Sequence, residues 1–177
     1  MLVETADVPD APKAEPIEMS PSAPGMDSLA ARLAKAKKPI AILGGGDWRG
    51  ETRDTMIAFA ERHGLPVAVQ FRRGGSFPAD HPNYVGDLSI GANPRLVQAV
   101  KDADLVLMLG GRMSESPSQN YTLFDIGQGD DRLVHLHPDP EEIGRVYQPG
   151  IGLIGSVSGF ARAVADWPGS NLQSDWV

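Results

Sequence analysis

The 177-residue chain is 41% hydrophobic and 22% charged, the balance of a globular domain with one substantial core. Its net charge of −7, with no basic cluster beyond Lys35, Lys37 and Lys38, argues against a nucleic-acid partner. The lack of cysteine excludes disulfides, thiolate metal sites and a thiol nucleophile and suits a reducing cytoplasm; no run is long enough for a membrane span, and the start does not read as a secretory signal.

Residues 1–27 hold five prolines, several acids and no helical or strand period, so they read as an extended interdomain linker. From Asp27, taken as a helix cap, "DSLAARLAKAKKP" reads as a helix stopped by Pro39. "PIAILGGG" is a buried strand ending in glycines. "TRDTMIAFAERHGLP" is a helix with Met56, Phe59 and Ala60 on one face and Gly64 after its end. "LPVAVQF" is a second strand, and a loop-rich stretch follows with a short strand near Tyr84–Val85. Asn93 and Pro94 open a firmly signalled helix. "LVLMLGGR" and "DRLVHLHPD" are further apolar strands. "DPEEIGRVY" reads as a helix capped by Asp139, "GIGLIGS" as a last strand and "VSGFARAVADW" as a closing helix. Apolar strands alternating with helices predict an α/β fold: a Rossmann-like, doubly wound parallel sheet of about six strands with helices on both faces. The domain itself runs over 28–167, and 168–177 form a tail.

Ligands of such sheets sit at the carboxyl ends of the strands. Glycines gather there: Gly44, Gly45 and Gly46, then Gly110 and Gly111, with Gly86 and Gly91 before a helix. They serve either to let backbone N–H groups approach a phosphate or simply to make tight turns. The loop 44–50 has the spacing Gly-x-Gly-x-x-x-Gly, one residue longer than the dinucleotide fingerprint, and it lacks the Lys-Ser/Thr pair of a Walker loop. Arg72 and Arg73 could meet a ribose 2′-phosphate or lie solvated in a loop. His135 and His137 alternate on one strand and so share a face, but no third ligand with metal spacing accompanies them. Asp130, Asp131, Glu141 and Glu142 read as surface and helix-cap charge. No nucleophile stands beside an evident base, so the chain offers a binding site and no catalytic machinery.

The segments "KKPIAILGGG", "HPNYVGDLSIGANPRLVQAVKDADLVLMLGGRMSE" and "RLVHLHPDPEEIGRVY" together resemble the central domain of thiamine-diphosphate-dependent enzymes of the acetolactate synthase type. The resemblance implies a DHS-like domain of the NAD/FAD-binding kind, set between a pyrimidine-binding and a diphosphate-binding domain. It implies thiamine diphosphate and Mg²⁺ held by those other domains, a 2-keto acid substrate and a homo-oligomer. The family's Gly-Asp-Gly motif is absent: Gly46-Asp47 is followed by Trp48, Gly86-Asp87 by Leu88 and Gly129-Asp130 by Asp131. Some members carry FAD or ADP in this domain. By resemblance such a nucleotide would touch Gly44, Gly45, Gly46, Gly110, Gly111, Arg112, His137 and Asp139, with Arg112 as the charged contact. Two departures weigh against FAD: synthases have a Gly-Met-His-Gly-like loop where this chain has "LSIGA" and an Asp where His137 stands, and their Gly-x-Arg turn continues with acids and a second arginine where this chain has "GGRMSES". The competing readings are a free-standing FAD module of the electron-transfer-flavoprotein type and an NADP-dependent oxidoreductase domain. The latter lacks a Tyr-x-x-x-Lys pair.

Overall fold

The computed structural model describes residues 5–15 and 18–169. Six strands form one parallel sheet: β1 (Pro39–Leu43), β2 (Val67–Gln70), β3 (Tyr84–Leu88), β4 (Leu105–Leu109), β5 (Gly129–His137) and β6 (Gln148–Ile154). Their order is β3-β2-β1-β4-β5-β6, the doubly wound arrangement in which strand order reverses between β1 and β4. Every neighbouring pair is parallel. The four helices are α1 (Ala23–Leu33), α2 (Gly50–Arg62), α3 (Pro94–Asp102) and α4 (Val157–Val164).

The alternation of side chains along each strand divides the core in two. Ala41, Leu43, Val67, Val69, Leu107, Leu109, Val134 and Leu136 face α1, α2 and α4, whose Leu29, Met56, Phe59 and Phe160 are fully buried. Ile40, Ile42, Ala68, Val106, Met108 and Leu133 face α3 and the segment after β4, which brings Met113, Leu123 and Phe124. Strands β1 and β4 are buried along their whole length because both of their faces are covered, which is why they read as unbroken apolar runs. Each fully buried large aliphatic or aromatic side chain contributes about 1.5–3 kcal/mol through removal of its surface from water.

Local signals set most boundaries. The Asn93 side chain accepts from the Arg95 N–H at 2.9 Å and Pro94 follows, so α3 starts as expected. Gly64 takes a φ of 53° after α2, and the Leu65 N–H returns to the Ala60 carbonyl at 2.8 Å.

Three expectations are corrected. Helix α1 opens at Ala23 with Ser22 before it, so Asp27 is an exposed interior residue rather than a cap, and the segment read as linker already turns helical in its last residues. The period Met26, Leu29, Leu33 was masked by Pro24 and Gly25, which the first helical turn tolerates. The stretch "DPEEIGRVY" makes only a short 3₁₀ helix (Pro140–Glu142), because Gly144 adopts a φ of 78° and the chain turns into β6. Strand β5 reaches back to Gly129, two residues before the expected start.

The segment before α1 is tied to α4. Met19 carbonyl oxygen accepts from the Ser156 N–H at 2.7 Å and from its hydroxyl at 3.1 Å, and Glu18 pairs with Arg162. Residues 1–4, 16–17 and 170–177, which include most of the expected tail, lie outside the described residues.

Asp104 clamps the entries of the two central strands: its carboxylate accepts from the Lys37 N–H at 2.7 Å and the Lys38 N–H at 2.8 Å. Asp104→Ala should lower stability by about 1–2 kcal/mol, discounted for the exposed position, while Asp104→Asn should lose about half of that; chemical denaturation of the three chains measures both.

Candidate functional site

The carboxyl edge of the sheet brings together all the residues singled out as a nucleotide site, each placed by the strand it follows. Gly44, Gly45 and Gly46 leave β1; Gly110, Gly111 and Arg112 leave β4; His137 ends β5, with Asp139 just beyond. The ladder runs one residue past the strands, since the Gly44 N–H donates to Leu109 at 3.0 Å and the Gly110 N–H to Leu136 at 2.9 Å. The two glycine turns thus meet at the point where strand order reverses, where such folds take ligands.

What fills the space beside these glycines decides between phosphate cradle and tight turn. A Cβ on Gly44 or on Gly111 would collide with the Gln70 side-chain oxygen, and one on Gly45 would collide with the Gly110 carbonyl oxygen. A Cβ on Gly46 would press on Val157 at 2.6 Å. The turns therefore pack backbone against backbone, with Gln70 as a wedge above them. Gln70 ends β2, is 6% exposed, and donates from Nε2 to the Arg112 carbonyl at 2.7 Å. Buried Trp48 adds a bond from its indole N–H to the Gly44 carbonyl at 3.0 Å. The Cβ faces of these glycines are taken up by the protein itself, while clefts of about 250 Å³ and 460 Å³ lie open beside Gly45 and Gly46.

Arg112 is directed toward a carboxylate. Its Nε lies 3.3 Å from Glu142 Oε2, and Arg145 Nη1 lies 2.7 Å from Glu142 Oε1. Glu142 is 7% exposed. The expectation that it is surface or cap charge is corrected: the 3₁₀ helix turns it inward beneath two guanidinium groups. Asp139 does the capping, its carboxylate accepting from the Glu141 N–H at 3.0 Å, so that carboxylate is spent on the chain's own backbone. His137 Nδ1 accepts from the Asp139 N–H at 3.1 Å.

His135 and His137 do share a face, with ring centres 6.0 Å apart. Among the described residues no group of three or more histidines, cysteines or acids could hold a metal ion. His135 is buried and donates from Nε2 to the Gly111 carbonyl at 2.9 Å. Burial pushes its pKa below the ordinary value, opposed by the Gly111 carbonyl, which favours the charged ring. Arg72 has a φ of 62° and stacks over the exposed Phe71 ring, while Arg73 lines a cleft of about 250 Å³ with Gly45, Gln70, Arg112 and His137.

Three functional-looking features escaped sequence reasoning. Gln70 was the single polar residue closing an apolar strand, and Glu142 and Arg145 stood three apart in "EIGR", both visible only as hints. The third is a left-handed turn: Gln119, Asn120 and Tyr121 have φ values of 53°, 58° and 61° in succession. Each such residue costs roughly 1 kcal/mol. Buried Ser118 holds the turn, donating to the Ser114 carbonyl at 2.7 Å and accepting from the Tyr121 N–H at 3.0 Å.

Comparison with known proteins follows the same domain. The family model described as "Thiamine pyrophosphate enzyme, central domain" matches residues 26–164. A sulfoacetaldehyde acetyltransferase from Castellaniella defragrans is 30% identical over 87% of this chain and 26% of its own length. The acetolactate synthase large subunit of Corynebacterium glutamicum is 27% identical over 95% of this chain and 27% of its own. A solved structure of a candidate thiamin diphosphate-dependent enzyme from Mycobacterium smegmatis superposes with a TM-score of 0.66 at 27% identity, covering 92% of this chain and 31% of that one. The chain spans about a quarter of the length of the curated relatives it matches.

Two outcomes follow from this geometry. Gly45→Ala should cost about 2–4 kcal/mol, since it adds a backbone collision to a left-handed φ, whereas Gly50→Ala, with φ 50° and open space around it, should cost only about 1 kcal/mol; thermal unfolding compares them. His135, held below its unfolded pKa, contributes stability that is full above pH 6.5 and is lost on acidification below that value. Tm should therefore fall between pH 7 and 5.5, and His135→Gln should flatten part of the fall; His63, lowered by burial and by Arg62, keeps its share.

Proposed function

The chain belongs to the thiamine pyrophosphate enzyme central-domain family, and from that premise we propose that it serves as the non-catalytic framework of a larger thiamine-diphosphate- and Mg²⁺-dependent enzyme acting on 2-keto acids. The parent enzyme is of the acetolactate synthase-like carboligase or decarboxylase kind. In that reading the segment ahead of α1 leads in from a pyrimidine-binding domain and residues 168–177 lead out to a diphosphate-binding one. The whole assembles as a homo-oligomer, in a cytoplasmic setting that suits an acidic chain without cysteine. No helix among the described residues is long and apolar enough to cross a membrane. Thiamine diphosphate, held by the flanking domains, would supply the electron sink for chemistry on a 2-keto acid. This chain holds the flanking domains in register and packs against them.

The observation that carries the framework reading is the filled crevice at the strand switch. Gln70, the opposing carbonyl of Gly110 and Val157 occupy the faces of Gly44, Gly45, Gly46 and Gly111, and Glu142 engages Arg112. With these faces packed and Arg112 engaged by a carboxylate, a nucleotide has only the shallow clefts beside the turns to use, and in this reading any nucleotide site there is vestigial. The fill also disfavours the free-standing flavin module and the NADP oxidoreductase.

Calorimetric titration of the chain with thiamine diphosphate plus Mg²⁺, and separately with FAD and ADP, tests both parts. The expected result is no saturable binding at micromolar ligand, with 2-keto acid turnover appearing only when the flanking domains are supplied on the same polypeptide. Micromolar thiamine diphosphate binding or turnover by the chain alone would end the framework reading. Micromolar FAD binding that disappears in Arg112→Ala would make the domain a working cofactor module instead.

A further inference from the structure

Beside the filled crevice, on the α3 side of the sheet, lies a hollow of about 220 Å³ between the end of β4, the middle of β5 and the entry to β6. Its walls are apolar: Met113, Leu133, Val146 and the ring of Tyr147. We propose that this hollow binds a small, flat organic monocarboxylate, whose charged end is held by Arg112 and Arg145 and whose body lies under Tyr121. The proposal is independent of the framework reading and concerns a ligand that the glycine turns do not touch.

Charge sets the sign and number. Two guanidinium groups face one buried carboxylate, Glu142, so the pair retains one positive charge in excess. His135 is buried and uses its Nε2 on the Gly111 carbonyl, and the Tyr121 and Tyr147 hydroxyls that also line the hollow are neutral donors, so none of the three adds a positive charge near neutrality. A single negative charge balances the site. Glu142 engages only Nε of Arg112 and Nη1 of Arg145, which leaves further N–H groups on both forks for a carboxylate. Glu142, itself buried, tethers one nitrogen of each exposed arginine side chain at the mouth of the hollow, which lowers part of the ordering cost of binding.

Size and shape set the class. A hollow below the usual range for drug-sized ligands, with apolar walls, suits a body of roughly ten non-hydrogen atoms. Tyr121 lines the hollow and is 39% exposed, so its ring is open to a ligand from the solvent side. It is presented by the left-handed turn 119–121, which is held by Ser118, by the bond from Gln119 Nε2 to the Ser89 carbonyl at 3.2 Å and by local backbone bonds such as Asn120 N–H to the Glu115 carbonyl at 2.8 Å. Backbone strain of this kind concentrates at ligand clamps. Here its product is an aromatic ring at the hollow's margin, placed to lie against a flat ligand.

Benzoate, and benzamide as its neutral isostere, provide the test on the 177-residue chain. NMR titration should show saturable benzoate shifts at Tyr121, His135 and Tyr147, with benzamide at least about tenfold weaker. Arg145→Gln should weaken benzoate about tenfold while leaving the circular dichroism spectrum unchanged, and should leave benzamide unaffected. Equal affinity for benzoate and benzamide overturns the proposal. So does a benzoate titration without saturable shifts at those three residues. The comparison of the two ligands on the unaltered chain stands even if the variant does not fold.

Discussion

Where β1 and β4 leave the sheet, their turns lie against each other with no side chain between them, and much of the molecule is arranged around that contact. The close approach requires glycine at 44, 45, 110 and 111, and the φ values of 53° at Gly45 and 80° at Gly110 require it again. Gln70 closes the contact from above, and its bond to the Arg112 carbonyl fixes the direction in which the chain leaves β4. That direction carries Arg112 toward Glu142, and the Gly111 carbonyl toward His135. One packing constraint at the strand switch thus orders both the crevice and the hollow beside it.

The carboxyl edge is in this way divided into two unlike halves. On one side a cleft of about 460 Å³ lies at the starts of α2 and α4, and the segment ahead of α1 crosses it. The Met19 carbonyl binds Ser156 there, and Gly159 lacks the side chain that would push this segment away. Glu18 sits in the cleft with Arg162. On the other side Glu142 gathers Arg112 and Arg145 over an apolar floor. The first half is committed to holding the incoming chain. The second keeps unused donors.

The interior is built around the two central strands. Both central strands are buried on both faces, and the T-shaped contacts of Phe59 with Phe160 and Trp167 join α2 to the middle of α4 and to the segment just beyond it. The chain is similar to acetolactate synthases and sulfoacetaldehyde acetyltransferases, of whose length it spans about a quarter.

The fold was legible because its signals are local. Apolar runs named the strands, Asn93-Pro94 and Gly64 marked helix ends, and the alternation of strand and helix fixed the layered class. The positions of Gly44–Gly46, Gly110–Gly111, Arg112, His137 and Asp139 on one edge followed from the same pattern. What each of them does there was not legible. Whether a glycine admits a phosphate or a neighbouring backbone depends on what lies opposite, and Gln70 comes from a different strand, 26 residues from Gly44 in the sequence. Glu142 looked like solvated charge because a 3₁₀ turn and an α-helix are written with the same residues. The left-handed turn at 119–121 has no glycine to announce it and is imposed by Ser118 and Ser89. The sequence by itself determined the sheet, its layers and the edge where a ligand would come; only the tertiary structure decided which space on that edge is filled and which stays open, because that depends on contacts between residues far apart along the chain.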